Sequence, residues 1–170
     1  MINIRIATLE DADLLADLSR RTFFETFASQ NSSANLDKFM NEQFTRVALI
    51  AEVGAVHNIF LLAYDGNEPV GYVRLRENNN PPELNCANAI EIARLYAITN
   101  AIGKGVGKAL MEHCIKIALE LKMEAIWLGV WQENRRAIDF YTQWGFEKFG
   151  THVFMLGDDP QMDWLMKKTL

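Results

Sequence analysis

Cysteine is scarce in this sequence, with two in 170 residues. Cys86 and Cys114 form no CxxC pair, and His57, His113 and His152 are scattered without the spacing of zinc ligands. No metal site is therefore predicted. A reducing, cytoplasmic compartment fits such cysteine usage best, because disulfide-dense scaffolds belong to oxidising environments.

The sequence also lacks any long run of positive charge. Lys plus Arg number 17 against 22 Asp plus Glu, a formal charge of −5, and no basic cluster is longer than two residues, as at Arg135-Arg136 and Lys167-Lys168. Nucleic acid is not an expected partner of such a chain. An acidic surface is compatible with a cationic substrate, but mild acidity is common among cytoplasmic proteins and decides little.

Long apolar runs are missing as well. The amino-terminal region carries Glu10, Asp11 and Asp13, so neither a signal peptide nor a membrane span is predicted. Hydrophobic residues nevertheless make up 49% of the chain, which is enough for a packed core. A length of 170 residues without an internal repeat predicts one domain of ordinary size.

The hydrophobic pattern that is present predicts alternating strands and helices. We expect the order strand, two helices, three strands, helix, strand, helix and two strands, which gives a mixed sheet with helices on its faces. The strands are predicted at residues 2–6, 58–64, 69–77, 90–98, 125–131, 146–156 and 162–166. The helices are predicted from Thr8 through Leu18, from Leu36 to Ala51, from Val106 to Leu121 and from Asn134 to Trp144.

A glycine-rich turn joins the central strand to the third helix. Gly103, Gly105 and Gly107 precede a helix, where unpaired backbone N–H groups and the positive end of the helix dipole favour an anion. The spacing excludes a P-loop, and the lysine at position 108 weakens a dinucleotide fingerprint. Taken alone, the glycines could instead make room for packing of the helix on the sheet.

Two motifs resemble the GNAT N-acetyltransferase family. Residues 102–107 are similar to its pyrophosphate loop, Gln/Arg-x-x-Gly-x-Gly/Ala, with Ile102 in place of the first residue. Residues 134–146 are similar to its signature Asn-x-x-Ala-x-x-Phe-Tyr-x-x-x-Gly-Phe. Residues 150–168 resemble the PaiA-type polyamine acetyltransferases, so the likeness covers a single domain over about residues 2–168.

The resemblance implies an α+β fold, with a central, mostly antiparallel mixed sheet of about seven strands and about four helices. It implies acetyl-CoA as co-substrate, and transfer in a ternary complex, because no nucleophile motif is recognisable. The implied cofactor-binding residues come from the central strand, the glycine loop and the second motif: Leu95, Tyr96, Ala97, Ile102, Gly103, Lys104, Gly105, Val106, Gly107, Lys108, Ala109, Asn134 and Tyr141.

Two residues are implied for catalysis. Tyr141 matches the family tyrosine that serves the leaving thiolate as general acid, although a tyrosine on an amphipathic helix can also be core packing. Glu91 lies eleven residues before Ile102, where some family members carry a carboxylate base, and apolar neighbours would desolvate it. The alternative is a solvated glutamate or one paired with Arg94.

The predicted acceptor is a primary amine, with a polyamine such as spermidine or spermine favoured. The candidate substrate-binding acids are Glu25, Asp158, Asp159 and Asp163, although Asp158 and Asp159 could simply shape a turn. A lysine or amino-terminal amine of a protein is the alternative acceptor, and a catalytically idle acyl-CoA sensor is the alternative function. The assembly state is left open, with a homodimer among the alternatives.

Overall fold

The computed structural model describes all 170 residues, which form a seven-stranded sheet and five α-helices. The strands are β1 Ile2–Ile6, β2 Asn58–Asp65, β3 Glu68–Glu77, β4 Ala89–Ala97, β5 Ala125–Trp131, β6 Glu147–Leu156 and β7 Asp159–Thr169. The helices are α1 Ala12–Phe27, α2 Ser33–Glu42, α3 Arg46–Glu52, α4 Val106–Glu120 and α5 Arg135–Gln143. None of these helices combines the length and apolar character needed to cross a membrane.

The sheet order is β1-β2-β3-β4-β5-β7-β6, and every neighbouring pair is antiparallel except β4 and β5. That parallel pair is joined by α4, as expected because parallel neighbours need a crossover connection. The predicted α+β class and the mixed, mostly antiparallel sheet of seven strands are therefore confirmed.

The strands β4 and β5 separate halfway along their length. Ala89 to Ile92 pair with Ala125 to Leu128, but no pairing continues beyond Ile92 and Leu128. The register between β3 and β4 shifts at this point, because Arg74 lies opposite Arg94 while Leu75 lies opposite Ile92. The extra residue on β4 marks a bulge, which disrupts the ladder locally and bends the strand. A gap opens between the carboxyl halves of β4 and β5.

Helices cover both faces of the sheet. A Cβ added at Gly71 on β3 would lie 2.8 Å from Cγ1 of Val106, the first residue of α4. Because successive strand residues point to opposite faces, the neighbouring Tyr72 faces the other layer, where α1 packs on β3. Phe23 of α1 contacts the rings of Phe39 and Phe44, at centroid distances of 4.7 and 5.0 Å.

The structure corrects three element boundaries. The first helix, predicted from Thr8 through Leu18, runs from Ala12 to Phe27 and follows a short 3-10 turn at Leu9–Asp11. The helix predicted from Leu36 to Ala51 is two helices, because Thr45 caps a new one by accepting a 3.2 Å hydrogen bond from the N–H of Ala48. Val47, the second residue of this new helix, is exposed. The last strand is longer than predicted, since pairing with both β5 and β6 carries Pro160 and Lys167 into the ladder.

The hairpin between β6 and β7 is fastened to α2. Lys38 Nζ lies 2.6 Å from Asp158 Oδ1, and the N–H of Asp158 donates a 3.1 Å hydrogen bond to Asn35 Oδ1. Gly157 has φ +61, and a Cβ there would lie 2.6 Å from the carbonyl oxygen of Asn35. Only glycine allows this close approach.

We expect Gly71→Ala to lower the free energy of unfolding by about 1–3 kcal/mol, because the new methyl group overpacks the space between β3 and α4. Besides Val106, it would meet the carbonyl oxygen of Tyr96 at 2.7 Å. Gly150→Ala is the matched control, since its nearest neighbour would lie 3.5 Å away. Urea unfolding of both variants checks this. Equal midpoints for the two would contradict the tight packing at Gly71.

Candidate active site

A cavity of about 730 Å³ occupies the gap between β4 and β5. One half is lined by the glycine loop and α5, and the other by aromatic and charged residues from α1, β3, β6 and β7. The cavity therefore runs from one face of the sheet to the other through the place where pairing stops. Such a passage can bring two different molecules together at its middle.

The glycine loop borders the first half of the cavity. Gly103 and Gly105 have φ +81 and +86, a left-handed conformation that glycine adopts without strain. The first helical hydrogen bond of α4 runs from the N–H of Ala109 to the carbonyl of Gly105, at 3.0 Å. The amides of Val106, Gly107 and Lys108 therefore precede the helical ladder and are suited to an anion.

Most of the predicted cofactor-binding residues line the cavity. They are Leu95, Tyr96, Ala97, Ile102, Gly103, Gly105, Gly107, Lys108, Asn134 and Tyr141. Three do not: Lys104, Val106 and Ala109. Val106 is 1% exposed because its side chain packs in the core, so only its backbone is available to the loop. Their roles in cofactor binding stay predictions.

Asn134 and Tyr141 are brought to the cavity by α5. The side chain of Asn134 caps the helix, accepting a 3.3 Å hydrogen bond from the N–H of Ala137. Tyr141 lies two turns further along and is 8% exposed. Burial raises the pKa of its phenol, with a further contribution from Cys114. The phenol is therefore held in its neutral, proton-donating form.

Glu91 lines the cavity from β4, but its carboxylate already accepts hydrogen bonds from neighbouring side chains. Its carboxylate accepts hydrogen bonds of 2.8 and 3.2 Å from Arg76 and one of 3.0 Å from Asn79. The pairing with Arg94 considered above is not found, because Arg94 binds Glu52 instead. Three donors leave few lone pairs of Glu91 for an acceptor amine. The prediction that Glu91 is the base remains to be tested.

Two further arginines line the cavity beside Glu91. Arg94 makes a bidentate contact with Glu52, at 2.6 and 2.9 Å, and Arg74 contacts the same carboxylate at 3.1 Å. Burial, together with the positive charge of Arg94, lowers the pKa of Arg74 to about 10. The two guanidinium groups thus share one counter-ion, which fixes this wall of the cavity.

A His–Asp pair that the motif analysis did not identify lines the second half of the cavity. His152 Nε2 of β6 lies 3.5 Å from Asp163 Oδ2 of β7, and the two residues are register partners. Burial raises the pKa of Asp163, an effect that His152 opposes. Asp163 was predicted as a substrate contact. The histidine could have been found only by pairing the last two strands in register.

The remaining predicted substrate contacts are spread over the surface. Glu25 accepts hydrogen bonds of 2.8 and 3.0 Å from Thr99 and does not line the cavity. Asp158 is bound to Lys38 on α2. Asp159 lines a second cavity of about 360 Å³, which shares Trp131 and Gln161 with the main one. Only Asp163 of this set therefore faces the main cavity.

Comparison with known proteins agrees with this architecture. A model of the Acetyltransferase (GNAT) family matches residues 14–146, most of the chain. An uncharacterised N-acetyltransferase from Lactobacillus delbrueckii subsp. lactis is 33% identical over 172 residues, which cover 100% of this chain and 99% of that protein. The chain belongs to the GNAT family of acetyltransferases, whose members use acetyl-CoA.

More distant relatives extend the comparison. A spermidine N(1)-acetyltransferase from Thermoplasma acidophilum is 24% identical over 171 residues, covering 98% of this chain and 96% of that protein. The crystal structure of the PaiA N-acetyltransferase from the same organism, in complex with coenzyme A, superposes with a TM-score of 0.77 at 24% identity. That superposition covers 100% of this chain and 99% of the other. The resemblance to PaiA-type enzymes is therefore confirmed at the level of family and fold.

We expect Gly105→Ala to weaken acetyl-CoA binding about tenfold or more, because alanine resists the left-handed conformation that presents the loop amides. Gly66→Ala is the matched control. Gly66 also has positive φ and open space around it, but it lies in the β2–β3 turn outside the cavity. Calorimetry with acetyl-CoA should separate the two variants. Unchanged affinity in a folded Gly105→Ala protein would show that the loop does not bind the cofactor.

Proposed function

We propose that this protein transfers the acetyl group of acetyl-CoA directly to a primary amine of a small molecule, and that the acceptor is a polyamine such as spermidine or spermine. The observation that supports this proposal most is one continuous cavity, which joins the glycine loop to a half lined by aromatic rings and Asp163. The cofactor would enter from the loop side and the amine from the other, so that both meet where β4 and β5 separate.

Direct transfer is supported by the placement of the two thiols. Cys114 is fully buried in the core, and burial raises the pKa of its thiol to about 12. A thiol in this state is not a nucleophile at neutral pH. Cys86 lies outside the cavity, with its sulfur 3.8 Å from Glu124. An acyl-enzyme on cysteine therefore has no support in this site.

The site offers groups for each requirement of the transfer. The loop amides and Asn134 would hold the cofactor, and the exposed edge of β4 at Leu95 to Ala97 would pair with its extended arm. A backbone N–H of β4 would polarise the thioester carbonyl. Tyr141 would hydrogen-bond the departing sulfur. Its raised pKa makes full proton transfer uphill, so stabilisation of the thiolate is its main contribution.

The polyamine assignment is supported by the second, smaller cavity. Trp131 and Gln161 border both cavities, and Gln161 donates a 3.0 Å hydrogen bond to Asp159. A long cation with one amine near Asp163 would extend past these residues toward Asp159. The face of Trp131 is a favourable neighbour for an ammonium group. The relative named spermidine N(1)-acetyltransferase points the same way.

Tyr141→Phe should lower kcat by about 10²-fold while leaving acetyl-CoA affinity unchanged, because the ring still packs but no hydroxyl meets the sulfur. Tyr64→Phe is the control, since Tyr64 contacts Arg5 away from the cavity. Release of free thiol from acetyl-CoA measures both rates. Full activity in Tyr141→Phe would leave this residue as packing only.

Asp159→Asn should raise KM for spermidine about two- to five-fold and weaken the salt dependence of KM, since an exposed ion pair contributes up to about 1 kcal/mol. Asp158→Asn is the matched control, because that carboxylate is outside both cavities. The same assay across spermidine, spermine, amino acids and a lysine peptide ranks the acceptors. A preferred peptide would favour a protein acceptor. No turnover of any amine would favour an acyl-CoA sensor.

A further inference from the structure

The acceptor amine must lose a proton before it can attack. An alkylammonium with a pKa near 10.4 is almost wholly charged at neutral pH, so a group beside the reacting carbon has to receive this proton. Two candidates line the cavity: Glu91 on β4, one residue before the pairing with β5 ends, and the pair of His152 and Asp163 on β6 and β7. The two candidates differ in how many of their lone pairs already accept hydrogen bonds from other side chains.

Glu91 is the less suitable of the two. Its side chain is 10% exposed, and Arg76 and Asn79 together donate three hydrogen bonds to it. If Glu91 left these hydrogen bonds, Arg76 would lose its carboxylate partner. This loss costs free energy, because the charge of Arg76 is partly buried. This geometry suits a residue that fixes Arg76 in the wall of the cavity.

His152 is less constrained and lies close to the gap. Pairing of β4 with β5 ends at Leu128, and the next residue, Gly129, has no side chain. A Cβ at Gly129 would lie 3.2 Å from Cε1 of His152 and 3.7 Å from Oδ2 of Asp163. The imidazole and the carboxylate thus fill the space that this glycine leaves open, directly beside the point of separation.

The burial of the two residues suits different tasks. The side chain of Asp163 is 16% exposed, whereas that of His152 is 46% exposed and can pass a proton on to water. A carboxylate beside an imidazole selects one ring orientation and stabilises the imidazolium that forms. On β5 the facing residue is the uncharged Gly129, and on β4 the charge of Glu91 is balanced by Arg76.

We propose that His152 accepts the proton of the acceptor ammonium and that Asp163 positions its imidazole. This inference rests on the proposed function. The first proton moves from nitrogen to His152 and then to water. The nitrogen lone pair forms the C–N bond as the C–S bond breaks, and the electron pair of that bond stays on sulfur. The second proton leaves the nitrogen, while the thiolate takes one up beside Tyr141, so the reaction releases one proton overall.

The kinetic test compares His152→Asn, Asp163→Asn and Glu91→Gln between pH 6 and 10, with the fastest amine of the acceptor panel. We expect His152→Asn to lower kcat/KM about 10²-fold at pH 7, with unchanged acetyl-CoA affinity. The loss should shrink as pH rises, because more amine is already neutral. Asp163→Asn should show the same trend with a smaller loss. Added imidazole should restore part of the activity of His152→Ala.

Glu91→Gln is the discriminating variant, and it should give a pH profile parallel to that of the unchanged enzyme. The proposal is overturned if the pH-dependent loss belongs to Glu91→Gln, or if His152→Asn keeps full activity. It is also overturned if the loss in His152→Asn is the same at every pH, which would indicate a purely structural role. Lack of turnover by the unchanged protein would instead contradict the proposed function.

A measurement that needs no turnover distinguishes a failure of the His152 proposal from a failure of the proposed function. The chain has three histidines, so their ring resonances can be followed individually by NMR. Binding of spermidine to the coenzyme A complex should shift the ring resonances of His152, because the amine comes within hydrogen-bond reach of its imidazole. His57 and His113 lie outside the cavity and should be unaffected. Ring resonances of His152 that spermidine leaves unchanged would overturn the proposal.

Discussion

The separation of β4 from β5 is the constraint on which the rest of the site depends. A parallel pair that stayed in register to Ala97 would fill the gap with its own hydrogen bonds and leave no cavity. The pairing stops after Ile92, where β4 also carries a bulge relative to β3, while β3 and β7 hold the outer edges of the two strands. The sheet is therefore open in its middle and continuous on both sides, which lets a rigid scaffold contain a passage.

Much of the fold follows from local sequence signals. The alternation of Ile2, Ile4 and Ile6 and the apolar run into Ala97 lie in the strands β1 and β4. Gly145, with φ +87, follows the end of α5, as its position after the apolar helix face predicts. The split between α2 and α3 was missed because the apolar spacing runs through the break, whereas the capping by Thr45 is a weaker signal.

The site was less predictable, because register places residues that are distant in sequence. The glycine loop and Tyr141 are recognisable from contiguous motifs, and both line the cavity. The partners of Glu91 come from β3 and from the loop at Asn79, which no local spacing identifies. His152 and Asp163 meet only when β6 and β7 are paired with the shift near Gly150. Strand register in the folded sheet decides which polar residues become partners, so the spacing along the sequence does not identify them.

The attachment of the β6–β7 hairpin to α2 has a consequence for how the protein is made. The contact between Lys38 and Asp158 joins residues 120 positions apart. The second half of the cavity is likewise lined by residues of α1 and of β6 and β7, which are distant in sequence. Contacts of such long range form late, since a large loop must close before they are made. During synthesis the helices α1 and α2 emerge before the β6–β7 hairpin. The cavity is therefore complete only once this hairpin has left the ribosome.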